Sequence, residues 1–129
     1  MIVHVGKIPS DAELGILTVL WRCGPSTVRE VHDALGKKTG YTSTLKQMQL
    51  MLEKGLLRRS ERYKSHVYEP AFTREEGQAR FAGDLIHRVF EGSLRNLVVG
   101  ALTSQRAKAE DLEEIRRMLD RFEKGRKSR

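Results

Sequence analysis

The pattern Ser/Thr-x-x-Glu occurs at three places where an apolar periodicity begins: Ser10 to Glu13, Thr27 to Glu30 and Thr73 to Glu76. In such a box the hydroxyl accepts the third helical amide while the carboxylate reaches back to the cap's own N–H. Each box therefore fixes where a helix starts, and glycines mark where helices stop. From Ser10, the residues Leu14, Leu17 and Trp21, with Ile16 and Leu20 beside them, keep helical spacing until Gly24-Pro25. A second helix, capped by Ser26 or Thr27, carries Val28, Val31 and Leu35 and ends at Gly36 as a left-handed residue. After the basic connector Gly36 to Gly40, a third helix opens at Thr42 or Ser43 and runs to Lys54, with Gly55 as its stop.

The periodicity then changes. Leu56 to Arg62 alternates loosely, Tyr63-Lys64-Ser65 reads as a turn, and His66 to Glu69 is β-prone and closed by Pro70. Three helices followed by a hairpin within some 70 residues is the order of a winged helix-turn-helix. Beyond Thr73 the chain is helical again. Phe81, Leu85 and Val89 run beside Ala82, Ile86 and Phe90, and Gly92-Ser93 breaks this helix and caps the next. Leu94, Leu97, Val98, Ala101 and Leu102 form a stripe there, and a last helix bears Leu112, Ile115, Leu119 and Phe122. The expected fold is mainly α with one small β-hairpin. A winged helix-turn-helix DNA-binding domain spans 1–72 and a helical dimerisation domain spans 73–129.

Those C-terminal residues are too few to enclose a core of their own. They fold back on the N-terminal helices or pair with a second copy. Pairing is the reading taken, because helical DNA readers pair to match two half-sites. Phe81, Leu85, Val89, Leu97, Leu112, Ile115 and Leu119 are the expected interface.

Charge narrows the partner. The chain of 129 residues carries 24 Lys+Arg against 17 Asp+Glu, a formal +7. Residues 1–72 contribute +4 and residues 73–129 contribute +3, so the excess is no basic tail on a neutral domain. That balance points to a polyanion. No apolar run approaches the roughly 20 residues of a membrane span, and the N-terminal segment shows no secretory pattern. The single Cys23, read as a small packed residue, fits a reducing cytoplasm. His4, His32, His66 and His87 share no metal-ligand spacing, no nucleophile–base pair stands out, and no phosphate-binding glycine loop occurs. No catalytic site, metal or cofactor is therefore expected.

On the third helix, at about 100° per residue, Leu45, Met48 and Leu52 share the core face. Ser43, Lys46, Gln47, Leu50 and Lys54 take the opposite arc, with Thr42 at its N-terminal end. Thr42, Ser43, Lys46 and Gln47 are the candidate base contacts: Lys suits guanine O6/N7, Gln suits adenine, and hydroxyls suit either base or phosphate. Leu50 meets a thymine methyl there or marks a face drawn a residue off. Arg29, Lys37, Lys38, Arg58, Arg59, Arg62 and Lys64 are the candidate phosphate contacts. The last four place four cations in seven residues of one hairpin, which repel one another unless an anion faces them.

The segments STVREVHDAL (26–35), GYTSTL (40–45), LEKGL (52–56) and HVYEP (66–70) resemble the BlaI/MecI penicillinase-repressor family, which includes the CopY repressors. Leu14 to Trp21 is similar to that family's first helix. SLRNLV (93–98) and DLEEIRRML (111–119) are similar to its dimerisation region, so the resemblance spans about residues 8–122. It implies a homodimeric cytoplasmic repressor on an inverted-repeat operator, with Thr42, Ser43 and Lys46 in recognition-helix positions. It also implies, for the antibiotic-responsive branch, a membrane sensor-protease that triggers cleavage of an Asn-Phe bond. Gly100-Ala101 stands at the matching bond, which departs from that specificity. The Cys-x-Cys motif of the copper branch is missing from this chain. Two other readings stay open. One is a ligand-responsive regulator of the MarR or PadR type, and the other is a winged-helix module that binds an acidic protein.

Overall fold

All three capping boxes form. A computed structural model of the chain describes residues 7–36, 39–104 and 106–127. Ser10 caps α1 (Asp11–Cys23), accepting from the Glu13 amide at 3.2 Å while Glu13 Oε1 accepts from the Ser10 amide at 2.9 Å. Thr27 and Glu30 repeat the pattern at the start of α2 (Val28–Ala34). Thr73 and Glu76 do so at α4 (Arg74–Val89).

The third helix departs from the sequence expectation at its start. α3 spans Tyr41–Lys54 and is capped by Gly40, whose carbonyl accepts from the Ser43 and Thr44 amides. Gly40 has no side chain to cap with, so the hydroxyls of Thr42 and Ser43 lie inside the helix rather than at its cap. Gly55 then ends α3 in the left-handed region at φ 83°, a conformation that excludes most side chains.

Strands β1 (Leu57–Arg62) and β2 (Ser65–Pro70) pair antiparallel, with Leu57 opposite Pro70 and Arg62 opposite Ser65. The turn is therefore two residues, Tyr63 and Lys64, and Ser65 belongs to the strand. A second, short pairing adds to it: Ser26, between α1 and α2, exchanges both backbone hydrogen bonds with Tyr68. It anchors the hairpin to the helical part.

The chain divides into two compact units, one ending at Val89 and the other starting at Phe90. In the first, Leu17, Leu20, Val31, Met48, Met51 and Tyr68 are almost wholly buried and form the centre of the core. α4 is fastened to this unit through Phe72. The Phe72 ring meets Phe81 edge-on at 5.9 Å, and its carbonyl accepts from Trp21 Nε1 at 3.2 Å. Asp84 accepts from the Ile8 amide as well. Phe81 thus packs inside its own chain.

The second unit holds α5 (Leu94–Ser104) and α6 (Ala109–Lys127), and among the described residues neither helix buries a side chain fully. Ser93 caps α5 by accepting from the Asn96 amide at 3.0 Å. Cys23 is exposed at the end of α1, not packed, because the chain turns away at Gly24 with φ 84°.

Candidate nucleic-acid interface

α3 buries Thr44, Met48 and Met51, and half-buries Tyr41, Leu45 and Leu52. At about 100° per residue that core face is turned by roughly 50°, half a residue, from one centred on Leu45, Met48 and Leu52. The outward arc is Thr42, Ser43, Lys46, Gln49, Leu50 and Glu53. Leu50, 40% exposed, belongs to the open face. Gln47 lies at its edge, half-buried, where with Ser43 and Thr44 it lines a cleft against Ile16 and Leu35. Gln49 takes the outward place that the sequence reading gave to Gln47. The missed signal was Thr44, Met48 and Met51 at i, i+4 and i+7, obscured because Thr44 is polar.

Thr44 is buried because it has a partner. Its Oγ1 lies 3.3 Å from Nδ1 of His32, a buried residue of α2. The His32 ring meets Tyr41 edge-on at 5.8 Å, and the Arg29 guanidinium stacks over the same Tyr41 ring at 4.2 Å. This run of contacts sets α3 against α2 and holds Arg29 beside the first turn of α3. Arg29 is exposed, so its charge stays open to solvent.

Lys54 is drawn away from the outward arc. Its Nζ donates to Glu13 Oε2 at 2.8 Å, joining the end of α3 to the start of α1. Burial pushes the Glu13 carboxyl up, but the bonds and charge from Lys54 and the bonds from Ser10 together hold it below the usual carboxylate value.

The wing cations do not form one bare cluster. Side chains alternate along a strand, so Arg58 and Arg62 share one face of β1 and Arg59 takes the other. Carboxylates offset part of the repulsion: Glu69 lies 3.9 Å from Arg58, and Glu30 lies 3.2 Å from Arg62. The amide of Thr27 is the main cause holding Glu30 below its ordinary value, with Arg62 adding to it. Among the described residues, Arg59 and Lys64 have no carboxylate in ion-pair range. Lys37 and Lys38 lie outside the described residues.

The remaining named positions belong to the C-terminal helices. Leu85, Leu97 and Leu112 are half-buried, while Val89, Ile115 and Leu119 are exposed. Gly100 and Ala101 lie within α5, where Gly100 faces the Phe90 ring. Among the described residues no three His, Cys, Asp or Glu side chains converge as metal ligands. No described helix is long and apolar enough to cross a membrane.

Comparison with known proteins agrees with this architecture. Residues 9–121 match the penicillinase repressor family. The Penicillinase repressor of Bacillus licheniformis is 26% identical over 118 residues, covering 88% of this chain and 92% of that protein. The Transcriptional regulator BlaI of Mycobacterium tuberculosis H37Rv is 28% identical over 118 residues, covering 89% of this chain and 85% of the regulator. With a family match over most of its length and the winged helix that such a reader needs, the chain belongs to the penicillinase repressor family of transcriptional repressors.

Proposed function

We propose that this chain represses transcription as a cytoplasmic homodimer, nucleoid-associated when bound, that places one α3 in each half of an inverted-repeat DNA operator. The observation that carries the reading is the outward arc of α3. Thr42, Ser43, Lys46 and Gln49 stand together on a face that the rest of the winged unit leaves open. Their chemistry suits base edges: Lys46 donates to guanine O6/N7, Gln49 matches adenine, and Leu50 fits a thymine methyl. Gln47 contributes from the edge of that arc. Arg29, Arg59 and Lys64 serve the phosphates, and Arg62 does so by exchanging Glu30 for the backbone.

The dimer half of the proposal rests on the second unit. Val98, Val99 and Leu102 of α5 and Ile115, Met118, Leu119 and Phe122 of α6 are exposed apolar side chains. A second copy is the occupant that an inverted repeat requires. Release by a sensor-protease would act at or near Gly100-Ala101, and that bond lies in helix, so cleavage needs local unwinding of α5.

The test is selection of a duplex from a randomised pool by the full chain, followed by binding of variants. Lys46→Ala is expected to weaken the selected duplex by about 1–3 kcal/mol and relax the preference at one base pair per half-site. Equal binding of Lys46→Ala and the parent, with unchanged base preference, would place the DNA face elsewhere.

A further inference from the structure

The cleft beside Gln47 is held open where packing does not require it. It measures about 370 Å³ and lies between the start of α1, the end of α2 and the first turns of α3. Gly15, inside the 13-residue helix α1, forms part of its wall. Glycine in a helix interior costs stability relative to alanine, so its place there needs a reason. Positive φ is not that reason. Crowding is not either: among the described residues an added Cβ would meet Leu35 Cδ2 alone, at 3.6 Å, an ordinary van der Waals contact. At Gly77, by contrast, the same atom would stand 2.8 Å from the Phe72 ring. What glycine provides at position 15 is space in the cleft.

The lining says what fits that space. Ala12, Ile16 and Leu35 give it an apolar wall, and buried His32 and Thr44 add polar groups. Those two hold each other at 3.3 Å, so they are set in place before anything binds. A mainly apolar cleft with a few fixed polar groups, at the small end of the roughly 300–1,000 Å³ of ligand pockets, suits a small molecule. Charge then selects its class. The chain carries 24 Lys+Arg, yet among the described residues none lines this cleft, and Asp11 is its one charged group. An anion, a DNA phosphate included, is disfavoured there. An ammonium at Asp11, with its apolar body against Ile16 and Leu35, is favoured.

We infer that this cleft is an effector site for a small apolar amine, whose binding loosens the hold of α3 on DNA. Ser43 and Gln47 both line the cleft, on the outward arc of α3 and at its edge, so an occupant engages side chains that bases would otherwise meet. By linkage, the amine and the DNA weaken each other by the same factor. The effect on DNA rests on the DNA-binding reading above; occupancy of the cleft does not.

The experiment uses the full chain and three probes on one scaffold: phenethylamine, 2-phenylethanol and phenylacetate. Amide NMR shifts read occupancy without DNA. The amine is expected to shift the amides of Ala12, Gly15 and Thr44 and to bind about three- to fivefold more tightly than the alcohol, with the carboxylate weakest. Asp11→Asn removes the advantage of the amine and leaves the affinity for the alcohol unchanged. Gly15→Ala keeps the fold, raises the melting temperature and weakens the amine by about threefold. Gly15→Leu fills more of the cleft and weakens the amine at least about tenfold. Saturating amine weakens the parent's selected duplex at least about fivefold, and the Gly15 variants bind that duplex as the parent does but lose part or all of this response. No shift at these amides with any probe would overturn the site, and a carboxylate that binds better than the amine would overturn its class. Amine binding with unchanged affinity for the duplex would overturn the coupling to α3. Failure of the parent to select any duplex would overturn the DNA reading instead, with the NMR shifts still deciding the cleft.

Discussion

Glu13 lies under the first turn of α1, where one oxygen accepts the Ser10 amide and the other the Lys54 ammonium. Its folded-state pKa is below the ordinary 4.5, the net of burial that raises it and partners that lower it more. A carboxyl depressed on folding stabilises fully above its unfolded value, and that stabilisation is lost as pH falls through the folded value. Glu13→Gln keeps the capping geometry but removes the charge that Lys54 meets. Chemical denaturation at neutral pH should show a loss of about 1–3 kcal/mol. Below pH 4.5 the variant's stability should decline less steeply than the parent's. Glu30 and Glu76 are shifted in the same direction by their own caps, so part of the acid limb persists. The three boxes were legible because capping is local: cap and carboxylate are three residues apart. The partnership of Glu13 with Lys54, 41 residues away, was not.

At the scale of elements, α4 shows how close packing joins a helix to the wing domain. An added Cβ on Gly77 would stand 2.8 Å from the Phe72 ring and 3.1 Å from Trp21. Gly77→Ala should therefore cost about 1–3 kcal/mol by overpacking, despite the better helix propensity of Ala. Thermal unfolding followed through Trp21 would check it, and an unchanged midpoint would mean that the Phe72 ring gives way. Element identities followed from the sequence because periodicity and punctuation are carried by near neighbours. Their rotation did not. α3 turns by half a residue because Thr44 finds His32, and that contact depends on where α2 comes to lie. Gln49 and Gln47 exchange prominence on that account.

For the whole molecule, the proposed pairing rests on the apolar surface of α6. Leu119 is 56% exposed and Phe122 76%, on the same stripe as Ile115. Sedimentation equilibrium should give about twice the 14.8 kDa of one chain for the parent and a single chain for Leu119→Glu. The same variant should bind the selected duplex at least about tenfold more weakly, since the two half-sites are then bound independently. A Leu119→Glu protein that remains dimeric would move the interface off this stripe.

The sequence by itself determined where the three boxed helices α1, α2 and α4 begin, that a hairpin follows the third helix, and that the chain belongs with winged-helix repressors. Capping, glycine stops and alternation act within a few residues, and those signals survive without a tertiary context. Only the tertiary structure decided which side of α3 faces out, that Lys54 serves α1, and that Arg62 is met by Glu30. It also placed Phe81 beside Phe72 and strained Tyr63 into an exposed turn. Each of these depends on residues brought together from distant positions or on a backbone conformation that the residue does not prefer. Local rules carry no record of either.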